Sequence, residues 1–119
     1  MEPRKQLGDN SEAIARQYLE EQGYVTVQQN FRCKSGEIDL IMRQDSLLVF
    51  VEVRSRSSQR YGMPAETVNI RKQDKLRRTA ACFLYRNPQL AQCYCRFDVV
   101  SIVWQNGAPQ VEWIADAFQ

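Results

Sequence analysis

Apolar residues recur along this chain with two different periods, and each change of period marks an element. Ile14, Ala15, Tyr18 and Leu19 fall three and four apart, which predicts an amphipathic helix over residues 10–22, with Asn10 or Ser11 as its cap and Gly23 as its left-handed stop. Residues 24–27 then read as a short strand and residues 28–35 as a loop or irregular extension. Alternation begins after Gly36. Glu37 and Asp39 are expected on one face of a strand, with Ile38 and Leu40 on the other. A second run, residues 47–54, follows the turn residues Gln44-Asp45-Ser46, so 37–43 and 47–54 should pair as a hairpin. There Glu52 and Arg54 share a face, and Val51 and Val53 pack behind them.

Helical period returns over residues 70–85, where Leu76, Ala80, Phe83 and Leu84 form the inner stripe and Asn87-Pro88 ends it. Between hairpin and helix lies a polar, basic loop, residues 55–64, containing Gly62 and Pro64. Residues 96–104 are strand-like, Asn106-Gly107 is a hairpin turn signal, and a last strand covers 111–114. Trp104 and Trp113 flank that turn and are expected to pack across the terminal hairpin, with an oligomer interface as the alternative. There is no internal repeat, low-complexity tract or linker. The order is α-β-β-β-α-β-β, which predicts one α/β domain over residues 1–119, with helices flanking a mixed central sheet.

Composition narrows the chemistry. A chain of 119 residues, 44% hydrophobic and 25% charged, suits one ordinary globular core. Its strongest apolar run, residues 47–53, is broken by Glu52 and too short to span a bilayer, and Met1-Glu2-Pro3-Arg4-Lys5 leads into no signal-peptide core. A cytoplasmic protein without a membrane partner is therefore expected. Cys33, Cys82, Cys93 and Cys95 fit that compartment as reduced, bystander thiols; they lack the CxxC spacing of a zinc knuckle, although Cys93 and Cys95 should share a strand face. The chain contains no histidine, which removes Ser-His-Asp and Cys-His catalysis and histidine-based nucleases. No Gly-rich phosphate loop is present either. Any catalysis must run on carboxylates, lysine or arginine with a hard cation.

Charge is unevenly placed. From residue 54 to 78 there are eight basic and two acidic residues, so this segment carries +6 while the remaining chain carries −4 to give the net +2. A basic stripe of this size suits a phosphate backbone, and Arg56, Arg60, Tyr61, Lys72 and Lys75 are the candidate nucleic-acid contacts; a solvated helix face is the plainer reading. Just ahead of the stripe lie carboxylates on apolar strands, where unpaired charge is costly. Phosphodiester hydrolysis needs an activated water and neutralisation of charge at phosphorus, and magnesium or manganese held by carboxylates supplies both. Asp39 and Glu52 offer two ligands and Arg54 a neighbouring cation. Glu12 could add a third carboxylate and Glu37 a fourth. The plainer alternatives are a Glu52–Arg54 ion pair, Asp39 as a turn acid, and Glu12 and Glu37 as solvated acids.

The block Gly36-Glu37-Ile38-Asp39-Leu40-Ile41, followed by Phe50-Val51-Glu52-Val53-Arg54-Ser55-Arg56, resembles the YraN family of small bacterial proteins. Glu12, Lys72 and Phe97-Asp98-Val99-Val100 also fit, so the resemblance covers roughly residues 8–102. That family is placed with the PD-(D/E)xK nucleases and is similar to archaeal Holliday-junction resolvases. The resemblance implies a restriction-endonuclease-like fold and a magnesium- or manganese-dependent endonuclease acting on DNA, branched DNA included. It makes Asp39 and Glu52 metal ligands, Glu12 the helix acid and metal ligand, and position 54 the site of the catalytic lysine. By analogy with resolvases, it also implies a homodimer. This chain departs from the pattern by carrying Arg54, which stays protonated and cannot act as a base. Lys72 is the candidate substitute. A nucleic-acid-binding module without cleavage and a protein-interaction domain remain the alternatives.

Overall fold

The computed structural model describes residues 3–57 and 68–119, with side chains described for 10–56 and 68–119. Arg60, Tyr61, Gly62 and Pro64 lie outside the described residues. Helix α1 (Pro3–Glu21) begins earlier than its apolar period predicts. Pro3 suits a first helical position because its missing N–H would have no intrahelical partner there. Ser11 is consequently interior to the helix and buried, so neither it nor Asn10 caps α1. The C-terminus ends as expected. Gly23 takes φ +97°, its N–H reaches the Glu20 carbonyl at 3.0 Å, and the Tyr24 N–H reaches the Leu19 carbonyl at 3.0 Å.

Five strands follow in one sheet: β1 (Val25–Cys33), β2 (Gly36–Gln44), β3 (Leu47–Ser57), β4 (Tyr94–Gln105) and β5 (Ala108–Phe118). They lie side by side in sequence order, all neighbours antiparallel except β3 and β4. The parallel pair is joined through helix α2 (Ile70–Arg86) and a short 3₁₀ turn at Pro88–Leu90, as a parallel connection requires. The Asn69 side chain caps α2 by accepting the Lys72 N–H at 2.9 Å. The expected α-β-β-β-α-β-β order holds. Two boundaries do not: β1 extends through residues 28–33, read as a loop, and β5 is longer than 111–114. Both are edge strands with mostly exposed side chains, so burial imposes little alternation on them. Residues 55–57, assigned to the basic loop, belong to β3, and Cys93 precedes β4 rather than sharing a strand with Cys95.

Each helix covers one face. On the α2 face, Leu76, Ala80 and Phe83 pack with Phe31, Ile38, Ile41, Leu48, Phe50 and Val99. On the α1 face, Ala15 and Leu19 pack with Leu40, Met42, Val49, Val51, Val100 and Ile102. In β3 the alternation is regular. In β2 it fails once, because Ile38 lies with the α2 cluster and Leu40 with the α1 cluster. The expected shared face for Ile38 and Leu40 is therefore wrong. Partners Gln29↔Leu40 and Phe31↔Ile38 place Asn30 opposite Asp39, and Asn30 takes φ +53°, which asparagine tolerates better than most residues. The two strands turn over at that rung, and Asp39 sits on it.

The tryptophans also depart from expectation. Trp104 is opposite Pro109 and Trp113 opposite Val100, so they are not cross-strand partners. Trp104 donates to Ser55 Oγ at 3.0 Å, while Trp113 meets Tyr18 and Tyr24 edge to face.

Candidate active site

The β2–β3 ladder runs from Gln44↔Leu47 to Leu40↔Val51 and stops one rung short of Asp39 and Glu52. Asp39 Oδ2 instead accepts the Val53 N–H at 2.8 Å, holding the opened hairpin with a side chain where backbone pairing ends. Glu52 follows Leu48 and Phe50 onto the α2 face and is 8% exposed. Its carboxylate touches Asp39 and two cations: Lys72 Nζ lies 3.4 Å and Arg54 Nε 3.5 Å from Glu52 Oε2. Lys72, Glu52, Arg54 and Asp39 are thus brought together, the approach of Lys72 being a distance the sequence does not measure. The plainer Glu52–Arg54 ion pair is present too.

Asp39 holds its proton unusually tightly, with its pKa raised to about 7. Removal from water is the largest cause, the Glu52 charge next, and the Glu12 charge adds to both; the Val53 N–H works the other way. Glu12 therefore acts on Asp39 from helix α1. Even so, among the described residues no three Cys, Asp or Glu side chains gather closely enough to hold an ion together. Glu37 pairs with its cross-strand partner Arg32 at 3.2 Å.

The carboxylate pair still suits magnesium. A hard divalent cation needs only one or two protein carboxylates and completes its shell with water and phosphate oxygens. Two carboxylates forced into contact, one with elevated proton affinity, are the charge arrangement that such a cation relieves.

The predicted nucleic-acid contacts fall into two groups. Arg56, two residues beyond Arg54, pairs with Glu112 at 3.0 Å. On α2, Arg71, Lys75 and Arg78 are exposed and spaced four and three apart, forming one stripe beside Lys72. Arg77 lies off it, bonded to Asp74 and Gln73 and stacked 5.6 Å from Phe118.

Two features escaped the sequence reading. Ser101, opposite Arg54 in the parallel ladder, is fully buried, and its hydroxyl has no hydrogen-bond partner among the described residues. Asp98 is buried beneath a bidentate Arg96 contact at 2.8 and 2.9 Å. Asp98 also accepts from Trp113 Nε1 at 2.8 Å and the Asp116 N–H at 2.9 Å, and Arg96 is held firmly protonated by it. A cation two residues before a lone apolar-flanked aspartate, as in Arg96-Phe97-Asp98, is the available signal.

Comparison with known proteins places this geometry in a family. The model of "Uncharacterised protein family UPF0102" matches residues 11–102, which include Glu12, Asp39, Glu52, Arg54 and Lys72. The chain belongs to that family. UPF0102 proteins are the YraN proteins of the resemblance. The chain is 46% identical over 114 residues to a UPF0102 protein of Methylobacillus flagellatus, covering 96% of this chain and 97% of the relative. It is 46% identical over 118 residues to one from Saccharophagus degradans, covering 99% and 97%. A Clostridium botulinum UPF0102 protein is 38% identical over 117 residues, covering 97% and 95%. Among the described residues of this UPF0102 chain, no helix is long and apolar enough to cross a membrane.

Proposed function

We propose that this UPF0102 protein is a nucleic-acid-binding, metal-dependent endonuclease that hydrolyses phosphodiester bonds in DNA, with branched DNA as its first candidate substrate. The observation that carries the reading is the Asp39–Glu52 contact at the opened end of a hairpin, with Lys72 and Arg54 both on Glu52. Asp39 and Glu52 would hold a magnesium or manganese ion, which when bound acidifies water and draws charge from phosphate oxygens.

The chain's own groups divide the remaining work. Lys72, on the capped first turn of α2, supplies the ammonium that position 54 lacks and brings it to Glu52 from the helix side. Arg54 keeps its charge and stabilises a phosphate oxygen or the charge that develops on it. Glu12 adds negative charge at Asp39 and so favours a cation there. The exposed stripe Arg71, Lys75 and Arg78 would follow the phosphate backbone. Cutting paired strands takes two such sites, so we infer a homodimer by analogy with resolvases.

The test is cleavage of labelled four-way-junction, flap, single-stranded and duplex DNA with magnesium or manganese, against EDTA and an Asp39→Ala control. Metal-dependent cutting lost in Asp39→Ala supports the enzyme. One observation favours a second reading. Lys72 and Arg54 already satisfy Glu52, and a site closed by them would bind DNA without cutting it. Salt-dependent binding with no cleavage, unchanged by Asp39→Ala, would establish that reading and overturn the first. Calorimetric titration that finds no divalent-ion binding dependent on Asp39 would also overturn the first reading.

A further inference from the structure

Cys33 is the last residue of β1 and pairs with Gly36 across the turn into β2. Gly36 has no side chain, and helix α2 occupies the space beside it: a Cβ there would stand 3.2 Å from Thr79 Oγ1. Cys82 lies three residues beyond Thr79, one turn along the same side of α2. The surrounding packing fixes this approach. Phe31, two residues before Cys33, meets Phe83 edge to face with centroids 5.2 Å apart, and Arg86 lies 5.5 Å over the Phe31 ring. The Cys33 and Cys82 thiols are free and partly exposed, pack against the same core cluster and lie near enough to shift each other's proton affinity.

We propose that Cys33 and Cys82 are a modification site that closes to a reversible disulfide, tying the end of β1 to helix α2. Thiols brought side by side by the close approach of Gly36 and Thr79 need little movement of strand or helix to meet disulfide geometry, which two cysteines on distant elements seldom satisfy. A disulfide in a reducing compartment is characteristically transient and redox-sensing.

The two thiols are not equivalent. Burial raises the Cys33 pKa, but hydrogen bonds from the Ser35 backbone, the Cys82 thiol and the Gly36 backbone outweigh it, so Cys33 is the better thiolate. Cys82 is held as a thiol, first by its hydrogen bond with Cys33 and then by burial.

With hydrogen peroxide as oxidant, the Cys33 sulfur attacks one peroxide oxygen. An S–O bond forms, the O–O bond breaks, and the departing hydroxide leaves as water with the thiol proton. The Cys82 sulfur then displaces hydroxide from the Cys33 sulfenic acid, forming the S–S bond and releasing a second water with the Cys82 proton. Two thiols lose two electrons in all, and one peroxide is reduced to two waters. A dithiol reductant reverses the bond by exchange. While closed, the bond joins the helix that carries Lys72 to the hairpin that carries Asp39.

Cys93 and Cys95 provide an internal contrast. Cys95 Sγ contacts the Cys93 carbonyl at 3.8 Å, and burial raises the Cys95 thiol pKa, with the neighbouring Cys93 adding to it. The experiment treats the reduced full chain with one equivalent of hydrogen peroxide, alkylates the remaining thiols and maps the peptides by mass spectrometry. The expected result is one cross-link, Cys33 to Cys82, in most molecules, removed by dithiothreitol and retained in a Cys93→Ser/Cys95→Ser variant. Cys33→Ser and Cys82→Ser should each abolish it. Recovery of Cys33 and Cys82 as alkylated thiols, Cys33 sulfinic acid without a cross-link, or a bond through Cys93 or Cys95 instead would each overturn the proposal. The wild-type map alone decides this, whether or not the single variants fold.

Discussion

Two aspartates one rung apart across β3 meet opposite treatment. Asp98 pairs in register with Val51, which in turn pairs with Leu40, the neighbour of Asp39. Asp98 is 1% exposed yet surrounded by donors: both arms of a guanidinium, an indole N–H and a backbone N–H. Asp39 receives one backbone N–H, and the side chain that acts on it most strongly is another carboxylate, Glu52. Burial of charge is therefore not itself the mark of a functional site. The mark is burial without compensation, because a structural acid is given its donors while a binding site leaves them to its ligand.

The largest effect should come from the compensated acid. Asp98→Ala leaves the Arg96 guanidinium, the Trp113 indole and the Asp116 N–H without their acceptor, and breaking a buried pair on one side costs about 3–5 kcal/mol. Urea unfolding should show that loss; a change below about 1 kcal/mol would mean that Asp98 is not compensated as argued. Asp39→Asn should do the reverse at pH 8. Asparagine can still accept the Val53 N–H while removing charge from beside Glu52, so the protein should gain on the order of 1–3 kcal/mol. A destabilisation as large as that of Asp98→Ala would erase the contrast.

The pH dependence sharpens the same point. Asp39 titrates near 7 in the fold and near 3.8 when unfolded, so the native state binds the extra proton between these values. Stability contributed by that proton is fully present below about pH 4 and is lost as pH rises through about 7. In EDTA, the difference in stability between wild type and Asp39→Asn should therefore change across pH 4–7 and level off above it. A flat difference would show that Asp39 is an ordinary solvated acid. With magnesium present, wild type should recover stability above pH 7 and Asp39→Asn should not, if the proposed ion binds.

How far the sequence reveals this follows from burial. Helix α1's stop, the Asn106-Gly107 turn and the inner stripe of α2 were legible because each depends on local geometry or on a helix face packed against the sheet. The edge strands were not, since the exposed Gln28, Gln29 and Asn30 carry no alternation to read. At the site, Asp39, Glu52 and Arg54 could be grouped from hairpin register, and the proximity of Lys72 depended on α2 crossing the sheet, which no local pattern measures. The face change between Ile38 and Leu40 was hidden for a similar reason. It coincides with a left-handed Asn30 opposite Asp39 on the neighbouring strand, and no glycine or proline lies between Ile38 and Leu40.

Lys72 marks the smallest structural effect and the sharpest functional one. Its ammonium lies 3.4 Å from Glu52, but its side chain is 42% exposed, where solvent screens most of the attraction. Lys72→Met should therefore change stability by less than about 1 kcal/mol. If Lys72 supplies the cation that position 54 cannot, the same change should lower metal-dependent cleavage by about 100-fold or more while leaving junction affinity within a few-fold. Arg54→Lys in the Lys72→Met background should then restore part of the lost activity, because it returns an ammonium to the same carboxylate from the strand instead of the helix. A Lys72→Met protein that cuts as well as wild type would leave Glu52 with a merely structural counter-ion. Glu52 would then stand with Asp98 as an acid whose cations are structural, and Asp39 alone would carry the uncompensated charge.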